Sequence, residues 1–190
     1  MNLHKPDVKV TSAEEALQLL KEGNQRYRDN KMSDKTDYEE SRKVLAGGQK
    51  PFAIVLCCAD SRVAPEIFFD QKLGDIFVVR NAGNVVDETV LGSIEYGAEH
   101  LGSPLVVVVG HSCCGAVTAA CEGGELPHNI QTIVDKIAPS VKQGGGVDEV
   151  IHTHAKEMAE QVRSNEIIKH MGTRVEAAYY DIVTGEVCWL

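Results

Sequence analysis

The sequence predicts a single α/β domain built around a parallel sheet. Three short runs, PFAIVLCC at 51–58, IFVV at 76–79 and LVVVV at 105–109, are apolar on both faces, as strands buried inside a parallel sheet are. Helical patterns around 65–69 and over 88–101 separate them, so the order of elements implies right-handed crossovers between parallel strands. A chain of 190 residues suits one such domain and is short for two.

Two helices are predicted ahead of this unit. Ser12 followed by Glu15 forms a capping-box pattern, and apolar residues then recur at helical spacing over 13–29. A second short helix is predicted over 38–46, because two glycines follow it. Residues 1–48 are therefore interpreted as the N-terminal helical arm of one domain that spans 1–190.

The C-terminal part is predicted to hold a long helix and a hairpin. The helical pattern runs over 147–171. Two strand-like runs follow, over 174–181 and 186–190, and the sequence VTG lies in the connection between them. This pattern is typical of a hairpin at the edge of a sheet.

Composition excludes several classes of partner. There are 19 basic and 28 acidic residues, a net charge of -9, and the basic residues are scattered along the chain. We therefore expect no nucleic-acid and no membrane partner. Because no apolar stretch approaches the roughly 20 residues of a membrane span and no signal sequence is visible, we expect a soluble, cytoplasmic protein.

Two short motifs carry the chemistry. CADSR at 58–62 follows the first apolar run, and HSCCG at 111–115 follows the third. A strand order of 2-1-3 places the carboxyl ends of these two strands side by side, at the edge where α/β sheets bind ligands. Cys58, His111 and Cys114 then form a ligand set that suits zinc, and three protein ligands leave one position open for catalysis.

Asp60 and Arg62 lie next to this predicted site. Asp60 is two residues past Cys58, close enough to be a fourth ligand, and Arg62 can form a bidentate pair with its carboxylate. When paired with Arg62, Asp60 can orient a metal-bound hydroxide. When released onto the metal, it closes the open position.

The remaining cysteines and histidines are given no chemical role. Packing is expected for four cysteines: Cys57, Cys113, Cys121 and Cys188. Four histidines are candidate proton shuttles, and none of them is selected: His4, His128, His152 and His154. His152 and His154 are expected on a solvated helix face.

At these motifs the chain resembles the β-class carbonic anhydrases, whose signatures C-x-D-S-R and H-x-x-C-G match without a gap. The resemblance continues through RNAGN at 80–84 and GSIEYG at 92–97. It implies reversible hydration of carbon dioxide to bicarbonate by a zinc-bound hydroxide that an Asp60/Arg62 dyad orients. It also implies a sheet of order 2-1-3-4 with an antiparallel edge strand, and a homodimer or homotetramer whose sites lie at a dimer interface, with the N-terminal helices packed on a partner subunit.

The resemblance also assigns residues. One Zn²⁺ per chain falls on Cys58, His111 and Cys114. Further residues are expected to bind substrate: Gln49, contributed by a neighbouring subunit, Phe77 and Tyr96 in the carbon dioxide pocket, and Gly115. One subgroup with a regulatory bicarbonate site carries Trp where this chain has Val55, so we expect the constitutively open variety.

Three other functions are compatible with parts of the pattern. Hydrolysis of carbonyl sulfide or carbon disulfide uses the same zinc ligands. A zinc-dependent alcohol dehydrogenase-like oxidoreductase also uses a Cys₂His site, but no G-x-G-x-x-G follows a predicted strand. A non-catalytic zinc or redox module leaves Asp60 and Arg62 without a role.

Overall fold

A computed structural model describes residues 10–190, so His4 and the start of the predicted arm lie outside the described residues. The strands form one five-stranded sheet of order β2-β1-β3-β4-β5. The first four are parallel and β5 is antiparallel, which confirms the predicted order and edge strand. The strands are β1 Ala53–Cys58, β2 Ile76–Asn81, β3 Leu105–His111, β4 Arg174–Tyr180 and β5 Val187–Trp189.

Eight α-helices occur within the described residues. They are α1 Ala13–Arg28, α2 Tyr38–Leu45, α3 Pro65–Phe68, α4 Glu88–Glu95, α5 Gly115–Glu122, α6 His128–Val141, α7 Val147–Ser164 and α8 Glu166–Met171. The helical segment predicted over 88–101 is α4 followed by one π-helical turn, Tyr96–His100.

The single helix predicted over 147–171 is wrong, because Asn165 divides it. The Asn165 side chain accepts hydrogen bonds from the backbone N–H groups of Ile167 and Ile168, at 2.9 and 3.2 Å. Asn165 therefore begins a second helix, α8, as an N-cap residue does.

The predicted N-terminal helices differ in where they pack. Ser12 caps α1 by accepting a hydrogen bond from the Glu15 N–H at 3.1 Å, as predicted. Ala16, Leu17 and Leu20 of α1 are buried in the core on the chain's own sheet. By contrast, α2 buries no residue. Packing of the N-terminal helices on a partner subunit stays a prediction. It suits α2 better than α1, because the apolar face of α1 is already covered by the chain's own sheet.

Strand β3 lies at the centre of the sheet and is buried along its whole length. Val107 and Val109 face the cluster that contains α1 residues, whereas Val106 and Val108 face the cluster built by α4 and α7. Both faces of the strand are therefore covered, which explains why its sequence is apolar without alternation.

Gly110 brings α7 close to the end of β3. A Cβ atom at this position would lie 2.9 Å from Ile151 Cγ2 and 3.3 Å from Ala155 Cβ. Because glycine has no side chain, α7 can lie directly against the strand next to His111.

Candidate metal centre

Neighbouring strands deliver the three predicted ligands to one point. In the parallel pair of β1 and β3, Cys57 is opposite Val109, so the carboxyl ends of the two strands are adjacent. Cys58 ends β1, His111 ends β3, and Cys114 precedes the first residue of α5. Their ligand atoms all lie within 4.8 Å of one another and all three residues are buried, as the sequence predicted.

The His111 ring shows that these residues fit a metal ion. Its Nδ1 lies 2.9 Å from the Ser112 carbonyl oxygen, so Nδ1 carries the proton and donates it. Its Nε2 is buried and has no hydrogen-bond partner among the described residues. A buried nitrogen lone pair without a partner is costly, and a cation held with the two sulfurs would satisfy it. Two thiolates and one imidazole form a set that zinc prefers.

The two ligand cysteines are hydrogen-bonded to each other, and this contact shifts the pKa values of their thiols in opposite directions. A hydrogen bond with Cys114 holds the pKa of the Cys58 thiol well below its usual range, and the Gly83 N–H adds to this effect. The same contact with Cys58, together with burial, raises the pKa of the Cys114 thiol. Cys58 is thus the sulfur that carries negative charge most readily.

Asp60 is held in a fixed position by Arg62. Arg62 Nε donates to Asp60 Oδ1 at 2.9 Å, and Nη2 donates to Oδ2 at 2.7 Å. The Arg62 backbone N–H also donates to Oδ1 at 2.9 Å. The guanidinium hydrogen bond holds the pKa of the Asp60 carboxyl below its usual range, so the group is a carboxylate at neutral pH. Among the described residues, the cluster of ligand atoms does not include Asp60.

Arg80 supports the loop that carries Cys58 and Asp60. Its Nε donates to the Cys58 carbonyl at 3.0 Å, and its Nη2 donates to the Asp60 carbonyl at 2.7 Å. No role is predicted for Arg80 from its place in the RNAGN sequence at 80–84. Its contacts join β2 to the end of β1. The one signal for them in the sequence is a charged residue directly after the apolar run at 76–79.

Of the four residues expected to bind substrate, Gln49, Phe77 and Tyr96 lie toward the other end of the strands, whereas Gly115 directly follows the ligand Cys114. Gln49 precedes β1 and lines a cavity of about 560 Å³ whose lining includes none of the three ligands. Phe77 is opposite Ile54 near the start of β1, and its ring centroid lies 6.1 Å from that of Tyr96. Gly115 is the exposed first residue of α5. The substrate-binding roles of these four residues stay predictions.

The remaining cysteines are only partly the packing residues that sequence analysis expected. Cys57 is buried, and burial raises the pKa of its thiol to about 12. Cys121 is half-buried, whereas Cys113 and Cys188 are exposed, so packing is wrong for the last two. Cys113 has a φ of 57° and lies in the turn between His111 and Cys114. Its own side chain is exposed, whereas that of Cys114 is buried.

The expectation of a solvated face for His152 and His154 is also wrong. His154 is 1% exposed, and Nε2 of His152 is buried without a hydrogen-bond partner among residues 10–190. Both belong to α7, which the small residues Gly110 and Ala155 allow to approach β3 closely. His128 is exposed at the start of α6.

The chain is similar to known carbonic anhydrases. A family model described as carbonic anhydrase matches residues 53–187. The protein named carbonic anhydrase 2 of Mycobacterium tuberculosis is 48% identical over 151 residues, which cover 75% of this chain and 73% of its own length. A carbonic anhydrase of Mycolicibacterium smegmatis is 41% identical over 186 residues and covers 90% of each chain.

Solved structures share the fold. A tetrameric β-carbonic anhydrase from the ascomycete Sordaria macrospora superimposes with a TM-score of 0.74 at 24% identity, over 80% of this chain and 88% of that one. Within residues 10–190, none of the helices has the length and apolar character needed to span a membrane.

Proposed function

The chain belongs to the β-class carbonic anhydrases, and from this membership we propose how its own residues perform the reaction. It is a carbonic anhydrase with a Cys-His-Cys metal site at Cys58, His111 and Cys114. The proposal is that one Zn²⁺ per chain occupies this site, that carbon dioxide and bicarbonate are the substrates, and that Asp60 and Arg62 form a catalytic dyad.

The paired carboxylate is the observation that carries the proposal. Both oxygens of Asp60 accept hydrogen bonds from Arg62, so the side chain is directed by its partner. Asp60 is also only 17% exposed and lies two residues from Cys58. A carboxylate held in this way can accept one more hydrogen bond from a reacting water, since each oxygen has two lone pairs.

A bound zinc ion would supply a hydroxide nucleophile by lowering the pKa of a water molecule toward neutrality, a magnitude that is itself known from a carbonic anhydrase. Three residues of the chain would orient this nucleophile. The Asp60 carboxylate would accept a hydrogen bond from this nucleophile and so orient its lone pair toward the carbon of carbon dioxide. Arg62 keeps Asp60 charged and turned away from the ligands. Arg80 fixes the backbone of Cys58 and Asp60.

Gln49 points to a site completed by a second subunit. Gln49 precedes the first residue of β1 and Cys58 is its last residue, and a six-residue strand is about 20 Å long. Gln49 therefore serves the ligands of a partner, whose strand ends approach from the other direction. Phe77 and Tyr96 lie toward the same end of the sheet as Gln49 and would accompany it into the partner's pocket, where Gly115 lies at the ligand side.

Stopped-flow hydration of carbon dioxide by the zinc-loaded protein at about pH 8.5, above the pKa of about 7 known for zinc-bound water, tests the proposal. We expect rapid turnover, loss of turnover in Cys58→Ser, and full turnover in Cys188→Ser, which removes an exposed cysteine. A wild-type protein that holds one zinc per chain but hydrates no carbon dioxide would contradict it. Carbonyl sulfide and carbon disulfide should then be tested as substrates of the same preparation.

A further inference from the structure

The turn at residues 82–86 forms one wall of the metal centre. The Gly83 N–H points at the Cys58 sulfur, 3.3 Å away. Gly83 has a φ of 72°, and a Cβ atom there would lie 3.0 Å from both Ala116 Cβ and Ile137 Cδ1. The turn therefore requires glycine, both for its backbone conformation and for the space around it. A hydrogen bond to a ligand sulfur stabilises its negative charge.

Helix α7 holds this turn at two points. His154 Nε2 lies 2.9 Å from the Gly83 carbonyl oxygen, and Met158 Sδ lies 3.3 Å from the Val86 backbone nitrogen. His154 and Met158 are one helical turn apart and so lie on the same face of the helix. The turn is thus fixed from outside by one helix, at the residue that touches the ligand sulfur and again three residues later.

His154 is itself held in place. Because a carbonyl oxygen can only accept, Nε2 of His154 must carry the proton that it donates to Gly83. The other ring nitrogen, Nδ1, lies 3.4 Å from Ser140 Oγ, and the Ser140 hydroxyl hydrogen-bonds the Glu157 carboxylate. His154 and Ser140 are 1% and 0% exposed, and burial lowers the pKa of His154 from its usual value. The hydrogen bond to Gly83 and the burial around it therefore hold the ring in one orientation.

We propose that His154 is a positioning residue for the metal centre: it fixes the Gly83 turn so that the Gly83 N–H donates to the Cys58 sulfur. It touches neither metal nor substrate. Its effect is to keep the sulfur of Cys58 hydrogen-bonded and in place when a cation binds. The inference rests on the proposed occupancy of the site by zinc.

A matched pair of variants separates this role from simple packing. The amide nitrogen of a glutamine can reach the place of Nε2, whereas that of an asparagine reaches only the place of Nδ1. His154→Gln should therefore keep the hydrogen bond to Gly83, and His154→Asn should lose it. Val162→Ala is the stability control, because Val162 is 0% exposed on the same helix, eight residues past His154, and its side chain cannot hydrogen-bond the turn.

The measurements are the zinc dissociation constant, by competition with a chelator, and the visible spectrum of the cobalt-substituted protein. We expect His154→Asn to weaken zinc binding by about 10- to 100-fold, the usual effect of losing a group that orients metal ligands, and to shift the sulfur-to-cobalt charge-transfer band. His154→Gln should stay near the wild type in both. Val162→Ala should be less stable but bind zinc as the wild type does.

Unchanged zinc affinity and an unchanged cobalt band in His154→Asn would overturn the inference, as would equal losses in the Asn and Gln variants. If the Asn variant does not fold, His154→Leu, which fills the space without a donor, takes its place with the same expected result. Failure of the wild type to bind zinc would instead overturn the proposed function.

Discussion

Arg62 donates to both carboxylate oxygens of Asp60, at 2.9 and 2.7 Å, in the bidentate geometry that only a guanidinium provides. The same guanidinium donates to the Cys113 carbonyl at 3.3 Å. Arg62 thus connects the loop after β1 with the loop after β3. The position of the carboxylate depends on both loops that carry the metal ligands.

Replacing Arg62 by lysine should reduce kcat/KM for carbon dioxide hydration on the order of 100-fold, the cost of a catalytic group displaced by about 1 Å. A lysine keeps the charge but cannot hold both oxygens, so Asp60 becomes free to turn toward the metal. Stopped-flow kinetics provide the measurement. The control is Arg163→Lys, a substitution at a surface ion pair with Glu160. Equal activity of the two variants would show that bidentate pairing is not needed.

Zinc should stabilise the folded chain. The three ligands are buried and converge only when β1 and β3 are paired, so a cation binds the folded state and not the unfolded one. Free zinc at 1,000 times its dissociation constant should add about 4.1 kcal/mol to the free energy of unfolding. Thermal unfolding with and without a chelator measures this.

The matched cysteine variants indicate whether that effect is specific. Cys58→Ser should unfold at the same temperature with and without zinc, whereas Cys188→Ser should respond as the wild type does. A zinc response that survives in Cys58→Ser would mean that the ion stabilises the chain elsewhere.

Subunits with different defects should restore each other's activity if Gln49 acts on a partner. Gln49→Ala and Cys58→Ser are each expected to be inactive alone. In a mixed dimer, one site combines the intact ligands of the Gln49→Ala chain with the intact Gln49 of the Cys58→Ser chain. Unfolding and refolding the two variants together should therefore regain activity, measured against each variant treated alone. No recovery in proven mixed dimers would place Gln49 in the site of its own chain.

Stability at low pH should depend on Asp70. Its side chain is fully buried and accepts hydrogen bonds from Arg26, Lys35 and Ser33. Burial raises the pKa of Asp70, but the hydrogen bonds from Lys35 and Arg26 lower it more, so the net value lies below the usual one. The ion pairs therefore stabilise the fold above the unfolded pKa of about 3.9, and this contribution is lost as the pH falls through the lower folded value.

Asp70→Asn tests this and suits the backbone, because Asp70 has a φ of 51°, which asparagine tolerates. Arg26 is 40% and Lys35 16% exposed, so we expect a loss of about 2 kcal/mol at pH 7, below the range for fully buried pairs. Urea unfolding at pH 7, 5 and 3 should show the difference from the wild type shrinking below about pH 4. A difference that is constant with pH would contradict the assignment.

Sequence alone predicted the strands and the metal ligands because both produce local patterns. Runs such as 105–109 are apolar because both faces of β3 are covered, and the ligand motifs directly follow two such runs. The order of the sheet came from resemblance to a family and not from periodicity.

Helices α5 and α6 were missed because their patterns are weak. Only Val117 of α5 is buried, so its sequence shows no apolar stripe, and α6 contains Pro139, which usually argues against a helix. The break at Asn165 has a signal in the sequence, because an asparagine followed by glutamate is typical of the start of a helix.

The contacts of Arg80 and His154 could not be predicted, because they depend on distance in space alone. Arg80 reaches the carbonyls of Cys58 and Asp60, and His154 reaches that of Gly83. Carbonyl groups occur at every residue, so no residue type marks the acceptor. A histidine on an amphipathic helix looks the same in sequence whether it faces solvent or a turn.

The central place of β3 also bears on how fast the chain can fold. Ile54 pairs with Val106, and Val106 pairs with Val175, so every partner of this strand is distant along the chain. Such pairings pay the entropy of closing long loops before they gain contacts, which slows folding. The three ligands are all present once Cys114 has been synthesised, but α7 and β4, which cover them, come later. A nascent chain therefore exposes its two ligand thiols to the surrounding solution until its last third has joined the sheet.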